Sequence, residues 1–201
     1  MRNRIIPGAI LALIAAVNTP VMTFPQNDAP LRFDTEIIRI HVEPDSLRIE
    51  GHYRFVVSEP RPGFQTLLYP YPADSLLGGA RTVSLEWQSG DRPWQALDFR
   101  ELANGGGARW PVPLPAEGWV EVRTVYRQAR LADYGRYIVT TTRGWANPLR
   151  HALFEIHLPE GVQPLTFSYP FKRVITAEDN CYLFEANEFF PERDIIFTWQ
   201  P

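Results

Sequence analysis

An antiparallel β-sandwich is the architecture this sequence predicts, and three observations predict it. Apolar and polar residues alternate with period two in one segment after another. Turn-forming Gly, Pro, Asn and Asp clusters recur between those segments. No long window carries a helical period, and nineteen prolines suit edges and loops better than helix interiors. The expected fold class is therefore all-β, a single sandwich domain over residues 28–201 behind an N-terminal leader.

Residues 1–27 read as a signal peptide or leader. Arg2 and Arg4 give a positive start, and residues 5–17 form an uncharged apolar run broken only by Pro7 and Gly8. Asn18, Thr19 and Pro20 then stop any helix. The run is shorter than the roughly 20 residues a spanning helix needs. Export to the periplasm or the extracellular medium is expected, with membrane attachment only if this segment stays uncleaved.

The first hairpin is the clearest element. Ile38, Ile40 and Val42 alternate with Ile37, Arg39 and His41; past Pro44-Asp45, Leu47, Ile49, Tyr53 and Phe55 alternate with Arg48, Glu50, His52 and Arg54. With Pro44 and Asp45 central in the turn, Val42 faces Leu47, Ile40 faces Ile49, and Arg39 faces Glu50 on the wet side. One register satisfies both faces. Further strands are expected at 65–71, 81–88, 94–99, 108–112, 119–128, 136–142, 152–158, 165–169, 181–186 and 194–199. Core faces follow from parity: Val83, Leu85 and Trp87; Val120, Val122 and Tyr126; Phe154, Ile156 and Leu158; Ile195, Phe197 and Trp199.

Composition removes several chemistries. The formal charge is -3 and the pI about 5.8, which gives no electrostatic case for nucleic acid. The lone Cys181 makes no internal disulfide. No HExxH, CxxC, phosphate-cradling glycine-lysine loop or EF-hand loop is present. His41, His52, His151 and His157 are expected on solvated strand faces, and neither a metal nor a cofactor is expected. The acidic stretch 177–180 reads as a plain turn.

Candidate binding residues lie mainly in the crowded stretch 143–151. Arg143, Trp145, Asn147 and Arg150 are expected on a loop at one end of the sandwich, where binding commonly resides. The same loop also reads as a plug, with Trp145 folded onto the end of the core. Trp94 and Trp119 are out of phase with their apolar neighbours and complete the candidate set as exposed rings.

The run I-x-I-x-V-x-P-D-x-L-x-I-x-G-x-Y-x-F, spanning 38–55, resembles the opening of the N-terminal β-domain of gluzincin-type zinc aminopeptidases. That resemblance implies the non-catalytic sandwich without its catalytic domain. Residues 137–159, with T-T-x-x-W and F-x-I-x-L-P, are similar to exported bacterial proteins of unknown function. Together these readings predict a non-catalytic, exported binding module contacting a protein or cell-envelope component through end loops. Two other readings stand beside it. One is a carbohydrate-binding module that stacks sugars on Trp94, Trp119 and Trp145. The other is a hydrolase using Glu188, Glu192 or Asp194 with His151.

Overall fold

A computed structural model describes residues 30–59, 61–103, 105–145, 147–175 and 180–200. The expected leader and most of the acidic turn at 177–180 lie outside these residues.

The fold is all-β. The chain runs through β1 (Leu31–Val42), β2 (Ser46–Val57), β3 (Phe64–Pro70), β4 (Leu77–Ser89), β5 (Gln95–Ala96), β6 (Arg100–Glu101) and β7 (Gly107–Pro113). It continues through β8 (Trp119–Arg130), β9 (Tyr134–Tyr137), a 3-10 turn at Thr140–Trp145, β10 (Leu149–Leu158), β11 (Gln163–Phe167), β12 (Lys172–Ile175), β13 (Asn180–Phe189) and β14 (Ile195–Gln200). Eight strands form the main sheet in the order β12-β13-β10-β1-β2-β8-β4-β5. Two three-stranded sheets, β11-β14-β9 and β3-β7-β6, contribute to the same core. Tyr137 of β9 packs on Phe154 of β10, and Trp110 of β7 packs on Tyr53 of β2, with ring centroids 6.3 and 5.8 Å apart.

The first hairpin has the expected register: Val42 opposite Leu47, Ile40 opposite Ile49, Arg39 opposite Glu50. Its inward residues are buried, as are Val120, Val122, Tyr126, Phe154, Ile156, Leu158, Ile195, Phe197 and Trp199. Gly51 within it has a steric reason, because a Cβ there would fall on the ring of Tyr53. The side chain of Arg39 goes the other way, however. Its Nε donates to Glu155 at 2.8 Å, because β1 is an interior strand and Glu155 is its partner on the far side. That β1–β10 ladder is parallel, while the other ladders are antiparallel.

Four local expectations change. Val83 does not join Leu85 in the core but is 54% exposed, since a bulge between Thr82 and Ser84 shifts the phase of β4. The strand expected at 136–142 stops at Tyr137. The Oγ1 of Thr142 donates to the Val139 carbonyl, and Thr140 donates to Asp194 through both its amide and its hydroxyl. Such local bonds compete with a ladder and wind the segment into a 3-10 turn. Arg150 and His151 belong to β10 rather than to a loop, with Leu149 already paired to Phe189 and His151 to Thr35. The expected strand 94–99 shrinks to Gln95–Ala96, and Lys172–Ile175 adds an unforeseen edge strand.

Candidate functional site

The 3-10 turn closes the end of the sandwich where β1 begins. Asp194 fixes it: the buried carboxylate accepts Thr140 Oγ1 at 2.7 Å and takes two nitrogens of Arg136 at 2.7 and 3.0 Å. The half-buried Trp145 packs its ring on Phe33 and Phe55, at centroid distances of 5.8 and 5.5 Å. Arg143 is exposed and lies over Phe190, itself exposed, at 5.6 Å from the ring centroid. Exposed Asn147 donates back to the Trp145 carbonyl at 3.5 Å. Arg150 reaches the buried carboxylate of Asp34, the extra residue of the β1 bulge, with two nitrogens at 3.1 and 3.2 Å. Its side chain still keeps 57% of its surface exposed. Four of the six candidate residues thus gather at one end.

Trp94 and Trp119 do not join them. Both flank a charged cluster on the outer face of β2, β8 and β4. Glu121 is its centre, accepting Arg54 Nε and Gln88 Nε2 at 2.8 Å each, with His52 Nε2 at 3.3 Å. Burial opposes the charge of Glu121, but Gln88, His52 and Arg54 outweigh it and hold its pKa below the usual carboxylate range. Burial holds His52 below its ordinary value against the pull of Glu121. The Arg123 guanidinium lies 3.7 Å from the Trp94 ring centroid, and that of Arg54 lies 4.7 Å from Trp119. One face of each indole already carries a cation.

The hydrolase candidates are drawn to separate partners: Asp194 to Arg136 and Thr140, and His151 to Glu185 at 2.9 Å. No group of three or more His, Cys, Asp or Glu among the described residues is arranged to hold a metal ion.

Sequence reasoning passed over a buried polar cluster between the layers. Glu36 is 1% exposed and accepts the Tyr137 hydroxyl at 2.6 Å. That hydroxyl also lies 3.3 Å from Tyr53, which bonds Tyr69 at 2.7 Å. Burial pushes the Glu36 carboxyl up to about 8, only partly offset by the Tyr137 hydrogen bond. Burial also lifts Tyr53, Tyr69 and Tyr137 well above the usual phenol value. Parity is the signal that would have found it: Glu36 shares the phase of Ile38, Ile40 and Val42 and had to point inward.

These features define a layered β module whose polar groups are mostly occupied by one another. Solved structures contain the same fold. The chain matches a protein from Legionella pneumophila subsp. pneumophila str. Philadelphia 1, provisionally described as nutrient binding, with a TM-score of 0.63, 14% identity, and coverage of 87% of this chain and 68% of that one. It matches an M1 zinc metallopeptidase from Deinococcus radiodurans with a TM-score of 0.54, 13% identity, and coverage of 84% of this chain and 42% of that one. The chain thus spans less than half of the peptidase, and the likeness is to its N-terminal β-domain, as the first hairpin suggested. At these identities the likeness is one of fold. No protein-family model matches the chain, and no curated protein matches it.

Proposed function

We propose that the chain is an exported, non-catalytic binding module that contacts a protein or other cell-envelope component through the end closed by Thr140–Trp145. One observation carries this reading. Trp145 is anchored on Phe33 and Phe55, while exposed Arg143, Phe190 and Arg150 surround that end. A rigid aromatic ringed by guanidiniums is the kind of patch that anchors a protein interface. Asp34 and Asp194 hold the arginine and the turn in place beforehand, so little ordering entropy is lost on contact. The provisional nutrient-binding neighbour and the non-catalytic peptidase domain support a module that acts by contact rather than chemistry.

The test is affinity capture from envelope extract with the native chain and with an Arg143→Glu, Phe190→Ser double variant. Both replaced side chains are exposed, so the melting temperature is expected to shift by no more than about 2 °C. At least one captured species is expected to disappear with the variant. Identical capture by the two proteins would remove the end patch from the function. Trp94 and Trp119 favour a carbohydrate reading only in that both rings lie on the outer sheet face. Glycan-array binding that vanishes in Trp119→Ala and survives the double variant would move the function there.

A further inference from the structure

The opposite end of the main sheet carries an arrangement that folding alone does not favour. Arg81 of β4 stands directly opposite Arg127 of β8, and Arg127 stands directly opposite Arg48 of β2. Three guanidinium stems therefore leave adjacent strands in one row, about 10 Å across at the ordinary strand spacing. Like charges placed directly opposite one another weaken a strand pair. Three in register carry a cost that neighbouring carboxylates have to offset.

Nearby carboxylates compensate only part of the row. Arg48 pairs closely with Glu50, and Arg127 reaches Glu43 at 3.3 Å while nearly half its side chain stays exposed. Arg81 is exposed and has no ion pair among the described residues. Beside the row, β4 loses register with β8 between Leu77 and Ala80, and the exposed Gly79 has open space where a side chain would stand. The break opens a groove of about 370 Å³ lined by Asp45, Ser46, Gly79, Ala80, Arg81, Arg127 and Ala129.

Arg81, Arg127 and Asp45 line the groove, with Glu43 beside it on Arg127, so Arg81 is the one lining charge with no ion-pair partner among the described residues. Asp45 already accepts the Ser46 hydroxyl at 3.1 Å, and the two arginines stand side by side on neighbouring strands. Guanidinium forks match phosphate oxygens bidentately.

We propose that this groove binds a phosphate group, with Arg81 and Arg127 as its donors. The site lies at the far end from Trp145 and does not depend on the partner patch there. The phosphate chemistry is shared by free inorganic phosphate and by an anionic lipid headgroup, and two arms separate these sources. One arm titrates inorganic phosphate into the full chain by calorimetry. The other sediments the chain with phosphatidylglycerol vesicles, against phosphatidylcholine vesicles as the neutral reference.

Binding in at least one arm is expected, weakened about tenfold or more in Arg81→Gln and in Arg127→Gln, with Arg81→Lys in between. Arg109→Gln removes the same charge from an exposed position on β7 and is expected to leave binding unchanged. Binding in the phosphate arm alone assigns a small ligand, and binding in the vesicle arm alone assigns a headgroup. No binding in either arm overturns the site, and so does equal loss in Arg81→Gln and Arg109→Gln. Arg81 is exposed on a bulged strand, so its variants stay informative even where Arg127→Gln fails to fold.

Discussion

Glu36→Gln is expected to flatten the pH dependence of stability between about pH 5 and about pH 8. The carboxyl sits between the layers with Tyr137 as its donor, and burial lifts it from an ordinary 4.5 to about 8. In the unfolded chain it ionises near the ordinary value. Across the window between the two values, the folded chain therefore holds one more proton than the unfolded chain. Stability from the neutral carboxyl is complete below the unfolded value and is lost as pH rises through the folded one. A gap of this size corresponds to a loss on the order of 5 kcal/mol. Urea midpoints of the native chain are expected to fall steadily over that window, while those of the glutamine variant hold level. Parallel curves for the two proteins would mean that Glu36 is already ionised in the fold.

Trp145→Ala is expected to cost about 3 kcal/mol and to lower the melting temperature by several degrees. The ring is half-buried against Phe33 and Phe55 and covers the end of β1 and β2. Its loss leaves a cavity that the strands, fixed by their ladders, can close only in part. Thermal unfolding of the variant measures this directly. A change of less than about 1 kcal/mol would show an indole that rests on the surface and leaves the core intact. Stability and partner contact are expected to fail together here, whereas Arg143→Glu should affect contact alone.

What the sequence made legible was set by what period two can encode. The Ile38 to Phe55 hairpin came out with its register intact, because hydrophobic parity and the Pro44-Asp45 turn impose the same answer. Parity also sorted the tryptophans: Trp199 is buried, Trp87 is half-buried against the core, and Trp119 faces outward. It failed where one inserted residue resets the phase, as at Val83, and where side chains took over backbone bonding, as at Thr140 and Thr142. The candidate site was legible as residue types, but as a place only for the stretch 143–150. Arg143, Trp145, Asn147 and Arg150 share one end because they are close in sequence. The Trp94 and Trp119 cluster and the row of arginines depend on strand neighbours far apart in the chain. Glu36 was readable by the same parity that placed Ile38, but its charged identity argued against burial.

The parallel pairing of β1 with β10 sets Ile38 beside Phe154, so the first strand of the body waits for a segment made more than a hundred positions later. Until that segment arrives, β1 offers an open edge able to recruit foreign chains. Loop closure of this length is slow, and refolding from urea is expected in the millisecond-to-second range rather than in microseconds. Stopped-flow tryptophan fluorescence would read it. A chain assembled in this order leaves that edge unpaired for as long as β10 has not docked.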